Sequence, residues 1–216
     1  MLKRSFQYFS DLHLERAFKG FKRIPQNADN LLLAGDIGYP HMEIYREFFE
    51  DVNRRYERVF VVDGNHEWDK GKPDPNRFKS LQNVVLLNNQ HYEHPNGVVV
   101  LGTTLWTDST RSSDHQESVK YLTRALESFH QDHPEKKVIV LTHHLPSWKL
   151  IDQKYRKLSP QTLGRYANHL DYLMFEASSP EVWICGHSHS IVNCKIGRTH
   201  CHINTHGERH HPRIYL

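Results

Sequence analysis

Short apolar runs constrain this chain most strongly, because several of them are followed at once by residue types that bind metals. In the clearest case, the mostly β-branched residues 59–62 are predicted to form a buried strand, and an Asp-Gly turn then delivers Asn65 and His66. Asn offers a neutral oxygen to a metal ion, and His either binds the ion or donates a proton. In open α/β sheets, ligands bind beyond the carboxyl ends of the strands. The sequence therefore predicts a ligand site at this strand end.

The same arrangement occurs at four further predicted strand ends. The polar residues delivered there are Asp11 and His13, Asp36, His143 and His144, and His187 and His189. Because side chains two residues apart in a strand point to the same side, Asp11 and His13 are predicted to bind one ion together, and the last pair repeats this spacing. One such motif arises readily by chance in a chain with 18 histidines, whereas an ordered set at five strand ends does not.

Strand and helix patterns alternate along the chain. Strands are predicted at 6–10, 31–34, 59–62, 84–87, 98–101, 138–141 and 181–185, with a hairpin over 191–203. Helices are predicted at about 42–56, 114–130 and 160–177, the last with Ser159 as its N-cap and Pro160 at its first position. The runs at 84–87 and 98–101 flank a Pro-Asn-Gly turn and are expected to be antiparallel. We therefore predict an α/β (α+β) architecture with more than one sheet.

Length and composition narrow the class of protein. The chain has 216 residues and no linker-like stretch, so residues 1–216 are expected to form a single domain. No apolar run approaches the roughly 20 residues that span a membrane, and the N-terminus lacks a signal-peptide pattern, so a cytoplasmic protein is expected. The net charge of +3 suits an anionic substrate but is weak support for nucleic-acid binding. The three cysteines cannot form a disulfide framework, and Cys185 is predicted to lie in the core.

The candidate ligands are too many for one metal ion. They are Asp11, His13, Asp36, Asn65, His143, His187 and His189. A tetrahedral zinc takes four ligands, whereas this set suits two ions that share one carboxylate and keep positions open for water and substrate. Oxygen and nitrogen donors without a thiolate favour Mn, Fe or Zn. The predicted cofactor is therefore a pair of divalent or mixed-valence ions.

In this order, the motifs resemble those of the calcineurin-like metallophosphoesterases, the dinuclear metallophosphatase superfamily. The matching segments are Asp11-Leu12-His13, Gly35-Asp36, Gly64-Asn65-His66-Glu67, His143-His144 and Gly186-His187-Ser188-His189. The resemblance implies two packed mixed sheets flanked by helices, a four-layer sandwich with a bimetallic site at the strand ends. It also implies one metal on Asp11, His13 and His189, a second on Asn65, His143 and His187, and Asp36 bridging the two.

The resemblance also implies a reaction. The two ions would lower the pKa of a water toward neutrality, and the resulting hydroxide would attack the phosphorus in line. His66 is implied as the general acid for the leaving oxygen. In the protein-phosphatase branch, an Asp three residues after the bridging Asp orients this histidine, whereas this chain has Tyr39, and that branch's arginines in the second and third motifs are absent. This argues against phosphoprotein substrates and leaves Glu67 or the backbone as candidate partners of His66.

Three functional hypotheses follow. The first is a metal-dependent phosphoesterase for a phosphate mono- or diester, with a small-molecule or nucleotide-type substrate. The second is a nuclease acting on DNA or RNA with the same site, against which stand the compact chain and the lack of a long basic, aromatic stripe. The third is a non-catalytic binding platform, against which stands the retention of every ligand and of His66.

Several further residues are candidate contacts. His144, Arg111, in a predicted polar loop over 109–113, and Trp148 are candidate substrate-binding residues. The basic loop at 147–158 is predicted to be either a solvated loop or a lid over an anionic substrate. The tail histidines His206, His210 and His211 are a candidate second metal site.

Overall fold

Strands and helices alternate through the part of the chain that the computed structural model describes, residues 5–17, 23–155, 157–205 and 213–216. The strands are β1 (Ser5–Phe9), β2 (Asn30–Ala34), β3 (Arg58–Val62), β4 (Val84–Leu86), β5 (Gln90–Glu93), β6 (Val98–Thr103), β7 (Lys137–Thr142), β8 (Val182–Cys185), β9 (Ile191–Ile196), β10 (Thr199–Asn204) and β11 (Arg213–Tyr215). The helices are α1 (Glu43–Arg55), α2 (Asn65–Trp68), α3 (Asp108–Asp132) and α4 (Pro160–Leu163). Short 3-10 helices cover Leu14–Arg16, Trp148–Leu150, Gln153–Tyr155 and Asp171–Met174.

The strands form two mixed sheets. The first has the order β11-β1-β2-β3-β4, in which β1 to β4 are parallel and β11 is an antiparallel edge strand. The second has the order β5-β6-β7-β8-β10-β9, in which the four central strands are parallel and both edge strands are antiparallel. Parallel strands present their carboxyl ends at one edge of a sheet, so each sheet collects the following segments there.

Alternate residues of the parallel strands face two different cores. Phe6, Leu32 and Phe60 of the first sheet belong to the same buried cluster as Val100 and Ile139 of the second, so this cluster joins the two sheets. Their chain neighbours face the opposite side and pack with α1 on the first sheet and with α3 on the second. Burial on both faces explains why these strands are continuous apolar runs in the sequence. The two helix-covered sheets confirm the predicted fold class.

The expected antiparallel pairing of the runs at 84–87 and 98–101 is wrong. β4 pairs in parallel with β3 of the first sheet, whereas β6 lies in the second sheet. The Pro-Asn-Gly turn does form a hairpin, but the strand that it joins to β6 is β5. The residues of β5 are polar and mostly exposed, so the strand lacks the apolar pattern by which strands are recognised.

The helix predicted over 160–177 is broken in the structure. Helix α4 ends at Leu163, and the next helical segment is the 3-10 helix at Asp171–Met174. Between them, the amide of Asn168 donates to the Leu145 carbonyl at 2.9 Å, and the amide of Leu170 donates to the Pro146 carbonyl at 2.9 Å. These bonds to the segment after β7 replace helical ones, while apolar side chains at helix-like spacing still reach the core. Tertiary hydrogen bonding thus overrides the amphipathic pattern.

The polar loop predicted over 109–113 is part of α3, which begins at Asp108. Arg111 alone departs from helical backbone there, with φ of −149° and ψ of 79°. The loop prediction was therefore wrong except at Arg111.

Two further predictions concern the core and membranes. Cys185 is fully buried, as predicted, and Cys201 is buried with it. None of the helices in the described ranges combines the length and apolar character that a membrane crossing requires.

Candidate metal centre

Both sheets deliver polar residues to one shared edge. Asp11, Asp36 and Asn65 follow β1, β2 and β3 of the first sheet, while His143 and His187 follow β7 and β8 of the second. The two sheets are joined here, because the backbone amide of His187 donates to the Asp11 carboxylate at 3.0 Å. The site is therefore assembled where the carboxyl edges of the two sheets meet.

One group of donor atoms combines two carboxylates with two imidazoles. Asp11, His13, Asp36 and His189 each bring a ligand atom within 4.8 Å of the others. Nε2 of His13 lies 3.1 Å from Nε2 of His189, which in turn lies 3.5 Å from Asp11 Oδ1. Three of these four residues are buried. The group can hold one cation.

A second group lies on the other side of Asp36. Asp36, His143 and His187 again bring their donor atoms within 4.8 Å of one another. Nε2 of His143 lies 3.1 Å from Nδ1 of His187, 3.1 Å from Oδ1 of Asn65 and 3.4 Å from Oδ1 of Asp36. Nδ1 of His143 lies 2.9 Å from the Ala34 carbonyl, which leaves Nε2 directed at the other donors. Asp36 belongs to both groups and is the residue that they share.

The backbone at these positions is unusual. Asp11, His13, Asp36, His187 and His189 all have φ between 47° and 64°, a left-handed region that non-glycine residues rarely occupy. The expected strand geometry for Asp11 and His13, with alternate side chains pointing the same way, is therefore wrong. β1 ends at Phe9, and His13 caps the 3-10 helix at Leu14–Arg16. Asp11 and His13 join one group because the chain turns between them. The chain also turns at His187 and His189, and there the two imidazoles join different groups.

Burial and mutual charge shift the titrating groups of the centre. Burial raises the pKa of Asp11 to about 6, although nearby His143 opposes the rise. Burial would lower the pKa of His143, but the Asp36 carboxylate attracts its charged form and raises the pKa to about 9. For Asp36, burial is outweighed by His143, so its pKa lies well below the ordinary range. The centre therefore holds two buried carboxyl groups, of which Asp36 is paired with the His143 imidazole.

The donor set fits metal ions. All donors are carboxylate, amide or imidazole groups, which are donor types that divalent metal ions bind in proteins. Metal-binding histidines almost always bond their second ring nitrogen to an outer partner. Here Nδ1 of His143 lies against the Ala34 carbonyl, and Nδ1 of His13 lies 2.9 Å from a Glu15 carboxylate oxygen. This arrangement orients each Nε2 toward the group that it joins.

His66 lies beside the first group and has a different partner from the one expected. Its Nδ1 lies 2.9 Å from Glu15 Oε1, and its ring stacks on Tyr39 at a centroid distance of 6.0 Å. The expectation that Glu67 or the backbone orients the ring is wrong. The Glu67 carboxylate instead accepts hydrogen bonds from the amides of Asp36 and Gly64, at 3.0 and 2.7 Å.

Glu15 is the residue that the sequence reasoning missed. The available signal was a carboxylate two residues after His13, in the pattern Asp-x-His-x-Glu. Spacing alone did not reveal it, because Glu15 reaches His66 across 51 positions of chain.

The three predicted substrate contacts have different surroundings. His144 is buried and its ring lies 4.3 Å from that of His187, so it supports the centre from within; burial holds its pKa well below the ordinary value. The guanidinium of Arg111 lies over Trp68 and Trp106, at 4.5 and 4.9 Å from the ring centres.

Trp148 lies apart from these contacts. It stacks on His169 at 4.6 Å and donates to the Ala167 carbonyl at 3.2 Å. Among the described ring contacts, none joins Trp148 to the two donor groups. The tail histidines His206, His210 and His211, with Arg156 of the basic loop, lie outside the described residues.

The fold and the donor groups define a class of protein, and a family model agrees with them. The model of the calcineurin-like phosphoesterases matches residues 7–190. The chain belongs to the calcineurin-like phosphoesterase family, a family of metal-binding hydrolases, as its ordered motifs predicted.

Similar proteins extend the comparison. An uncharacterized protein of Acanthamoeba polyphaga mimivirus is 25% identical over 243 residues, covering 86% of this chain and 85% of the relative. The phosphopantetheinyl hydrolase PptH from Mycobacterium tuberculosis has a TM-score of 0.67 and 16% identity, covering 94% of this chain and 89% of that one. GAP50, the anchor in the inner membrane complex of Plasmodium, has a TM-score of 0.57 and 14% identity, covering 95% of this chain and 71% of that one. At these identities the structural likeness shows the fold alone.

Proposed function

We propose that this protein is a phosphoesterase that uses two metal ions to hydrolyse a phosphate mono- or diester, and that residues 1–216 act as one domain. The observation that carries the proposal is the position of Asp36, whose carboxylate belongs to both donor groups. A carboxylate that two donor groups share can bind two adjacent cations and offset the repulsion between them. An anchor or binding platform would not need it.

In this proposal, each sheet contributes ligands to both ions. Asp11, His13 and His189 hold one ion, Asn65, His143 and His187 hold the other, and Asp36 lies between them. Mn, Fe or Zn bound there supplies charge neutralisation for the phosphoryl oxygens and lowers the pKa of a water to make a nucleophile.

His66 is the proposed proton donor to the leaving oxygen. Its side chain is 18% exposed, so a substrate can reach it, and its Nε2 lies 3.9 Å from Oδ2 of the shared Asp36. The hydrogen bond to Glu15 raises the pKa of His66, against the opposing effect of burial. A raised pKa extends upward the pH range over which the imidazole carries the proton that a general acid donates.

Arg111 is the proposed contact for a substrate oxygen. Two indole rings and the Asp114 carboxylate hold its guanidinium, and one of the rings, that of Trp106, lies 5.2 Å from the ring of His144 beside the centre. A planar cation fixed in this way suits phosphate recognition. This supports a phosphate ester as the substrate, and a small-molecule or nucleotide-type ester is the one that we propose.

The test compares hydrolysis of p-nitrophenyl phosphate and bis-p-nitrophenyl phosphate by chelator-stripped protein reloaded with Mn²⁺, Fe²⁺ or Zn²⁺. Metal-dependent turnover is expected, and the preferred compound distinguishes monoesterase from diesterase activity. Asp36→Asn is expected to lose metal affinity and turnover together, because the change weakens the binding of both ions at once.

His66→Ala separates binding from chemistry. This variant is expected to retain both metals in equilibrium dialysis and to lose about 100-fold or more in turnover, most with poor leaving groups. Loss of a metal from His66→Ala would show that the residue is a ligand and not the acid. Absence of turnover with every metal and both compounds would contradict the proposed function.

A further inference from the structure

One carboxylate oxygen contacts two functional histidines. Oε1 of Glu15 lies 2.9 Å from Nδ1 of His13 and 2.9 Å from Nδ1 of His66. The Glu15 side chain is only 7% exposed, so water competes little for this oxygen. The two imidazole rings lie edge to face, with centroids 4.4 Å apart.

These contacts determine which nitrogen of each ring faces the centre. A carboxylate accepts an N–H, so the proton on Nδ1 of each ring lies toward Glu15. Nε2 of His13 is thereby directed at His189, 3.1 Å away, and Nε2 of His66 at the Asp36 side, 3.9 Å away. One acidic side chain thus orients a candidate ligand and the candidate proton donor together.

The other nearby carboxylate does not compete for this role. Asp69 is the second acidic group near Nδ1 of His66, but it lies 3.8 Å away and its side chain is 43% exposed. Tyr39, at the position where the protein-phosphatase branch has its orienting Asp, contacts the ring face and not the ring nitrogen.

The backbone holds Glu15 at this place. Glu15 lies in the 3-10 helix Leu14–Arg16, directly after His13 and its left-handed backbone. The amides of His13 and Leu14 donate to the carbonyls of Asp36 and Ile37, at 3.1 and 2.9 Å. The turn that carries Glu15 is therefore hydrogen-bonded to the loop that carries the shared carboxylate.

We infer that Glu15 is a positioning residue that orients His13 toward its metal ion and His66 toward the leaving group, so that metal binding and proton donation depend on one side chain. This inference rests on the proposed function for its catalytic part, whereas the ring orientations can be measured without turnover.

The first measurement is two-bond ¹H–¹⁵N NMR of the histidine rings in metal-free protein at a pH high enough that the His66 ring is neutral, with the His66 signals assigned by their absence from His66→Ala. In the unchanged protein, Nδ1 of His66 is expected to carry a proton. In Glu15→Ala, the pattern is expected to shift toward the tautomer mixture of a free imidazole. Asp69→Asn is the matched control and is expected to leave the His66 signals unchanged.

The second measurement uses aryl phosphates with leaving groups of increasing pKa. Glu15→Ala is expected to lose more turnover with poor leaving groups than with good ones, as His66→Ala does. The double variant Glu15→Ala/His66→Ala is expected to show no steeper dependence than His66→Ala alone, because both changes remove the same function. Of the two single variants, Glu15→Ala is expected to weaken Mn²⁺ binding, by about tenfold in equilibrium dialysis, and His66→Ala is expected to leave it unchanged.

Glu15→Gln is the conservative variant to use if Glu15→Ala does not fold, because it keeps the size of the side chain and an acceptor oxygen. It is expected to restore most of the His66 tautomer preference and of the turnover with poor leaving groups. An unchanged His66 spectrum in Glu15→Ala, or an equal loss with every leaving group, would overturn the inference. Lack of turnover in the unchanged protein would refute the proposed function, and the NMR result would then decide the role of Glu15 by itself.

Discussion

Left-handed backbone is concentrated at the residues that carry the candidate chemistry. Of the seven described non-glycine residues with positive φ, five are candidate metal ligands, and the others are Asn89 and Leu105. Each such residue costs on the order of 1 kcal/mol or more and persists only where the surroundings impose it. At this centre the surroundings are the two sheet edges, and the strained turns bring side chains close together that regular strands would hold apart.

A buried histidine outside the centre is expected to make stability depend on pH. His202 lies on β10 with its Nδ1 3.2 Å from the Tyr8 hydroxyl, and burial lowers its pKa from 6.5 to about 4. The unfolded chain binds the proton at higher pH than the folded protein does. Stability from this residue is therefore complete above pH 6.5 and is lost as the pH falls toward 4, by on the order of 3 kcal/mol.

The measurement is urea unfolding of the protein and of His202→Gln between pH 4 and pH 7.5, a range that covers the window set by the two pKa values. The difference between their free energies of unfolding is expected to change with pH across that window. His130→Gln is the control, since it removes an exposed imidazole from α3 and leaves β10 unchanged. A pH-independent difference between the protein and His202→Gln would contradict the prediction.

At the scale of elements, the turns after β2 and β3 approach each other without room for a side chain. A Cβ at Gly64 would contact the amide and carboxylate of Asp36 and would lie 2.8 Å from His143 Cε1. The backbone of Gly64 has φ of −101°, which any residue adopts. The glycine is therefore required by the close approach of two loops and not by its conformation.

Gly64→Ala is expected to displace Asp36 and to weaken Mn²⁺ binding by about tenfold or more, because Asp36 belongs to both donor groups. Gly71→Ala is the matched control: a Cβ there meets nothing within 4 Å, but φ is 107°. That control is expected to lose about 1 kcal/mol of stability and to keep its metal affinity. Equal metal affinity in Gly64→Ala and the unchanged protein, measured by equilibrium dialysis, would refute the steric argument.

At the scale of the molecule, the candidate metal centre lies across the junction of the two sheets. The first sheet contributes Asp11, Asp36 and Asn65, and the second contributes His143 and the residues after β8. A ligand that contacts both sheets is bound only when they are packed together. Metal binding is therefore expected to stabilise the whole fold and not one loop.

The stability prediction is tested by thermal unfolding with and without Mn²⁺. At a metal concentration of about 100 times the dissociation constant, each bound ion is expected to add about 2.7 kcal/mol, which raises the Tm by several degrees. Asp36→Asn is expected to abolish most of the rise. A rise of the same size in Asp36→Asn would mean that the metal binds elsewhere.

Much of the fold followed from local pattern. The apolar runs identified the central parallel strands, because strands buried on both faces need apolar residues throughout. Polar β5 lacks such a run. The segment after α4 has the apolar spacing of a helix, but its backbone amides donate to the turn after β7 instead. Both errors arise where backbone hydrogen bonds to another segment, and not side-chain periodicity, determine the backbone conformation.

The sequence by itself determined the residue types that follow each strand, because strand patterns and turn residues are local properties of the chain, and the order of its motifs indicated the family and its two-sheet fold. Only the tertiary structure brings the donor atoms within a few ångströms of one another. Three features depend on contacts between segments that are distant in the chain. They are the grouping around Asp36, the left-handed turns at the ligands and the contact of Glu15 with His66. Their distances depend on how the two sheets pack, and no local pattern encodes that packing.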